Sequence, residues 1–279
     1  MSQDDQAPVS RGGRGLAAER APALWLCDLA AAAAPLDRLD QHIGLLSAKT
    51  GGSPHTSSEQ KRRAHIALRA LLAGLVGVDR ARQPFEISAA GKPRLAAPQH
   101  VAAVVGSVAF SLAHCDDYAL IGLSLGGDIG VDLELRRGIR IGPERRALLE
   151  AAAVRLAKGV ALPAGDGDGR FLQAWVRLEA VAKATGEGIS TLLGRVGARG
   201  RLAAPVAGDN GANAGFDAID IKLPETLDAF AAAAFHGAAD AGAGAKLQKL
   251  PFDFESLERL AAGRWSPMSA TCPLAAGRS

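Results

Sequence analysis

The stretch GGDIGVDLELRR, residues 126–137, sets two carboxylates into a run of apolar residues. Side chains alternate along a strand, so Val131 and Leu133 face one way while Asp132 and Glu134 face the other together. Two like charges on one strand face repel, and the arrangement is tolerated in water or around a cation. Hard oxygen ligands suit Mg²⁺, which takes few carboxylates and completes its shell with water and substrate phosphates. On these residues alone two readings stand: an exposed edge-strand face, or a Mg²⁺–phosphate site.

Working outward, YALIGLSL (118–125) is apolar enough for a central strand. Gly126 and Gly127 then offer the positive φ of a tight turn, which makes the opening stretch the returning arm of a hairpin. VAFSLAH (108–114) is a strand ending at His114, FEIS (85–88) a short strand, and GKP (91–93) a turn. ALWLCDL (23–29) is the first strand, ended by the Ala-rich run and Pro35; FDAIDIKL (216–223) and AFAAAAF (229–235) form a hairpin pair.

Helical signals lie between these strands. Ser57-Ser58-Glu59-Gln60 has capping-box spacing, and Ala64, Leu68, Leu71, Leu72, Leu75 and Val76 follow at helical intervals. Arg62, His65 and Arg69 form a basic stripe beside that apolar face, which a solvated helix surface explains as well as a binding site does. Residues 143–159 are helical, PAGDGDGR (163–170) is a loop, and FLQAWVRLEAVAKA (171–184) is a second strong helix stopped by Gly186 and Gly188. Trp175, Glu179 and Lys183 share one of its faces. Glu179 is there either a third metal ligand or the i, i+4 ion-pair partner of Lys183.

At 279 residues the chain accommodates one large or two fused small domains, and 48% hydrophobic with 22% charged residues suits a soluble globular protein. A net charge of +3 is too small an excess to argue for nucleic acid, and it leaves a phosphorylated or acidic partner open. Cys27, Cys115 and Cys272 are scattered without a CxxC pair, which supports neither disulfides nor zinc and points to a reducing cytoplasm. No apolar run marks a signal peptide or a membrane span. The expected organisation is a flexible tail over 1–20, an N-terminal half over 21–127 and a C-terminal half over 128–237 carrying the carboxylates. A low-complexity loop covers 194–215, and a loosely patterned tail over 238–279 contains one helix candidate, FESLERLAAG.

In order, LWLCDL, RRAHIALRALL before GKPRL, FSLAHCDDYALIGLS, GGDIGVDLE and FLQAWVRLEAVAKATGEG resemble the 4′-phosphopantetheinyl transferase superfamily, of the larger surfactin-synthetase-activating type, over roughly Leu24 to Phe235. The resemblance implies an α+β fold of two similar α/β halves related by pseudo-twofold symmetry, with coenzyme A in the cleft between them. It implies transfer of 4′-phosphopantetheine from coenzyme A to a serine of an apo acyl or peptidyl carrier protein, in fatty-acid, polyketide or nonribosomal-peptide synthesis, with release of 3′,5′-ADP. Asp132, Glu134 and Glu179 match the family's Mg²⁺ ligands, Lys183 its phosphate-contacting lysine, Arg63, Arg69 and Lys92 its basic nucleotide contacts, and His114 the histidine near the 3′-phosphate. Glu179 is the first candidate for the base that takes the serine proton, and Asp132 the second. A cytoplasmic monomer is expected.

The sequence departs from the family pattern at Leu178, where the motif carries lysine, and neighbouring Arg177 projects about 100° away on a helix. Ser111 stands at a usual asparagine position, and Ala113 and Cys115 flank His114 where small hydroxyl residues are commoner. These departures keep a second reading open, a homologue that binds coenzyme A or a carrier without transferring anything. A thiol enzyme pairing Cys115 with His114 fits poorly, because adjacent strand residues point to opposite faces. An unrelated Mg²⁺-dependent phosphohydrolase would suit the same carboxylates, but not the order of the segments.

Overall fold

The computed structural model describes residues 22–46, 56–89, 91–96, 108–125, 127–198, 215–236 and 246–263. The expected tail at 1–20 and most of the low-complexity loop lie outside these residues. Two β-sheets carry helices on their outer faces, an α+β arrangement. Among the described residues no helix is long and apolar enough to cross a membrane.

Strand β1 (Ala23–Asp28) is almost wholly buried. It ends at the Ala-rich run as expected, where Asp28 Oδ1 accepts from Ala31 N–H at 2.9 Å and helix α1 (Ala33–Ile43) follows. Pro35 sits in its first turn, where a backbone N–H would lack an intrahelical partner anyway. Helices α2 (Thr56–Val76) and α3 (Val78–Arg82) lead to a small hairpin of β2 (Glu86–Ile87) and β3 (Pro93–Arg94), turned at Gly91, whose φ is +82°. Strands β4 (Ala109–Cys115) and β5 (Tyr118–Ser124) pair antiparallel, and β5 pairs antiparallel with β1.

Strand β6 (Ile129–Leu135) is not the returning arm of a hairpin with β5. It opens a second sheet and pairs with β8 (Ala229–His236), which pairs with β7 (Phe216–Asp220), all antiparallel. Glycine at 127, with φ +138°, supplies the sharp reversal, but a reversal does not choose the partner strand. Between β6 and β7 run α4 (Pro143–Leu156), α5 (Gly167–Thr185) and α6 (Ile189–Ala198). Helix α5 starts inside the segment expected to be a loop, because Asp166 caps it by accepting from Gly169 N–H at 2.6 Å.

The strand orders of the two sheets are alike: β4-β5-β1 in the first and β7-β8-β6 in the second. In each sheet, the first of these three strands in chain order is followed by helices and then by a hairpin whose second strand returns beside it. Residues 246–263 do not form a loose tail. Strand β9 (Leu247–Lys249) adds parallel to β1, and α7 (Phe254–Ala262), the helix candidate at FESLERLAAG, buries Leu257 and Leu260 in the first core.

Three apolar clusters follow. One lies between the first sheet and α1, α2 and α7, and one between the second sheet and α4 to α6. The third joins the sheets, with Leu24, Leu26 and Leu120 meeting Val131, Leu133 and Phe235. Val131 and Leu133 thus point into the joint between the sheets, and alternation turns Gly130, Asp132 and Glu134 towards α5. Gly130 is obligatory there, since a Cβ would overlap the Ala180 carbonyl oxygen and the Ala184 nitrogen of that helix. The absence of a side chain brings α5 onto β6.

Candidate functional site

Close approach of α5 to β6 sets the geometry. Lys183 Nζ donates to Asp132 Oδ1 at 2.7 Å, and Asp132 is 6% exposed. The expected solvated carboxylate face is therefore covered at Asp132. Its second oxygen, Oδ2, is buried and has no hydrogen-bond partner among the described residues. Burial pushes the Asp132 carboxyl up to about 6; the charges of Glu179 and Glu134 add to this and Lys183 opposes it. Burial also raises Glu179, with Lys183 opposing and Glu134 adding. Glu134 accepts from Arg137 at 3.1 Å.

Beside these groups lies a cleft of about 600 Å³ lined by Glu179, Lys183, His114, His65 and Lys61, with Leu68, Phe85, Ile87 and Phe110 as its apolar wall. His114 stands exposed near the end of β4. Partial enclosure of its ring pulls its pKa down, and the charges of Lys61 and Lys183 lower it further. His65 is lowered by burial, then by Lys61, Arg69 and His114. This cation-rich corner favours an anion, which would restore both imidazoles towards their charged forms. Lys61 was not singled out in the sequence; its i, i+4 spacing to His65 is the signal that places both on one helix face.

The other expected contacts end elsewhere. Arg63 pairs with Asp37 of α1 at 2.9 Å, and Arg62 is held by Asp37, Asp40 and Glu59. Arg69 donates to the carbonyls of Ala81 and Gln83 and lies over the Phe85 ring. Lys92 lines the cleft, but its ammonium is bonded within the protein, to the Ile129 and Ala184 carbonyls at 3.0 and 2.9 Å. Ser111 Oγ accepts from Val131 N–H at 3.0 Å and joins the two sheets. Leu178, wholly buried, belongs to the second core and does not border the cleft. Arg177 is equally buried, with Asp220 gripped bidentately at 2.7 Å for each bond, and it supplies no charge to the cleft.

Among the described residues no three His, Cys, Asp or Glu side chains are grouped so as to hold a metal ion. The donor set nevertheless suits a hard divalent cation. An orphaned carboxylate oxygen repelled by two neighbouring carboxylates is a group that such a cation stabilises.

No family model matches the chain. A Synechocystis protein named as a 4′-phosphopantetheinyl transferase is 32% identical over 192 residues, covering 63% of this chain and 69% of that protein. At that identity, over that share of both sequences, the chain belongs to the 4′-phosphopantetheinyl transferase superfamily.

Proposed function

We propose that the chain transfers the 4′-phosphopantetheine group of coenzyme A to a serine of an apo carrier protein. The observation that carries this reading is the Asp132–Lys183 pair at the edge of the cleft, with one carboxylate oxygen left over. A bond forms between the serine oxygen and the β-phosphorus of coenzyme A, and the bond from that phosphorus to the departing 3′,5′-ADP breaks. Lys183 stabilises charge on the phosphoryl oxygens. Glu179, its carboxyl raised by burial, takes the serine proton directly or through a water, with Asp132 as the second candidate. Asp132, Glu134 and Glu179 would hold Mg²⁺, which neutralises phosphate charge.

Coenzyme A lies in the cleft with its 3′-phosphate at Lys61, His65 and His114. Similar strand orders support two halves, 21–127 and 128–237, related by a pseudo-twofold axis. Within the superfamily we place the chain with the surfactin-synthetase-activating type, acting as a monomer in the cytoplasm on fatty-acid, polyketide or nonribosomal-peptide carriers. The binding-only alternative drew on Leu178, and a residue of the second core removes no charge from the cleft.

Mass spectrometry of apo carriers incubated with this protein, coenzyme A and Mg²⁺ tests the reading. A phosphopantetheine adduct on the carrier serine is expected, lost in EDTA and restored by Mg²⁺. Coenzyme A binding without an adduct on acyl or peptidyl carriers would overturn transfer, and undiminished transfer in EDTA would overturn the metal assignment.

A further inference from the structure

We infer that Lys92 is a positioning residue for transfer: its ammonium ties β6 to the end of α5 and so holds Lys183 on Asp132, and it does not contact the nucleotide. The inference rests on the transferase reading above. Lys92 is 7% exposed, and its hairpin backbone is fixed by Ser88 on both sides, through the Ser88 N–H to Lys92 carbonyl bond at 2.9 Å and the Lys92 N–H to Ser88 Oγ bond at 3.0 Å. From there the side chain crosses from the first half to the second. An ammonium has three donors. Two of them meet Ile129 O at 3.0 Å and Ala184 O at 2.9 Å, and the Asp128 carboxylate lies 3.2 Å from the nitrogen as its ion-pair partner.

These acceptors are telling. Ala184 is next to Lys183, and its carbonyl is among the last four of α5, which have no partner within the helix. A cation from a distant hairpin thus satisfies that carbonyl and complements the negative end of the helix. Ile129 opens β6, three residues before Asp132. Asp128 is held by the same hairpin through Arg94 at 3.0 Å. Gly130 sets how closely α5 approaches β6, and Lys92 sets where along β6 the helix end rests. Together they determine whether Lys183 Nζ reaches Asp132.

Two measurements on the full chain test this. In protein labelled with ¹⁵N-lysine, the Lys92 ammonium resonance is expected to stay in place during coenzyme A titration while that of Lys183 moves. In Lys92→Met, the coenzyme A dissociation constant is expected to change by no more than about threefold while transfer at saturating coenzyme A falls about tenfold or more, with Lys92→Arg restoring part of the rate. A Lys92 resonance that shifts with the ligand, or Lys92→Met with weakened binding and an intact rate at saturation, would make Lys92 a nucleotide contact and overturn the inference. Should Lys92→Met not fold, the resonance experiment on the wild type decides by itself. Failure of the wild type to bind coenzyme A would instead overturn the transferase reading, and this inference with it.

Discussion

Lys183 donates a 2.7 Å hydrogen bond to Asp132 across the contact between α5 and β6, and the carboxylate so held keeps one buried oxygen without a partner among the described residues. A single-point grip on a buried carboxylate holds the side chain without saturating it. Burial is the main cause of its raised pKa, with Lys183 opposing and two further carboxylates adding to it.

Burial of this carboxyl makes stability depend on pH in a definite direction. The folded Asp132 carboxyl lies at about 6, above its ordinary 3.8, so the folded chain binds this proton more tightly than the unfolded chain does. The residue's contribution is most favourable below about pH 4 and is lost as pH rises through about 6, leaving a cost on the order of 3 kcal/mol above that range. Asp132→Asn removes this dependence. Denaturant unfolding of mutant and wild type, compared from pH 4 to pH 8, is expected to show the mutant gaining relative stability through the window and then levelling off, while transfer is abolished. A gap that does not change with pH would contradict the assignment.

Leu178→Lys bears on the departure from the family pattern. Because Leu178 is wholly buried in the second core, the new ammonium has no route to the cleft, and burying it unpaired costs several kcal/mol. The expected result is a markedly lower thermal midpoint with no gain in transfer rate. A variant of undiminished midpoint and raised rate would place position 178 at the cleft after all.

Gly130→Ala tests the close approach that builds the site. Its methyl group would meet helix backbone, which cannot rotate away as a side chain can. The expected outcome is loss of several kcal/mol with near-complete loss of transfer, measured by denaturant unfolding and the carrier assay. An alanine variant close to wild type in both would show that the contact relaxes easily.

Cys115→Ser is expected to retain transfer within about twofold, the scatter of an ordinary conservative change. Burial raises this thiol, so it stays protonated near neutrality and is a poor nucleophile. Loss of turnover with intact coenzyme A binding would bring the thiol reading back.

Much of this was legible in the sequence because it depends on local spacing. Alternation placed Asp132 and Glu134 on one face, and the i, i+4 spacing placed Glu179 and Lys183 together on α5. Strands 109–115 and 118–124 and the long helix from Thr56 also stand where periodicity set them. What spacing does not contain is the partner. Two glycines marked a reversal after β5 but not that β6 would leave the sheet. Alternation gave Asp132 a shared face without telling that α5 would cover it. Arg63 and Arg69 looked available because their acceptors, Asp37 and the carbonyls near Ala81, come from other elements. Leu178 stands one 100° step along the helix from Glu179, and the sequence does not say that this step leads into the core.

Strand β9 carries a consequence for biosynthesis. Leu24 pairs with Leu247, and Leu257 and Leu260 close the cluster that β1 and α1 begin. A ribosome therefore delivers the earliest wall of the first core long before the last one, and the second sheet has emerged in between. The nascent first sheet waits with an open strand edge and an uncovered apolar face, the kind of surface that chaperones engage. Its completion is a late event, timed by the arrival of residues 246–263 and not by the synthesis of β1, β4 and β5.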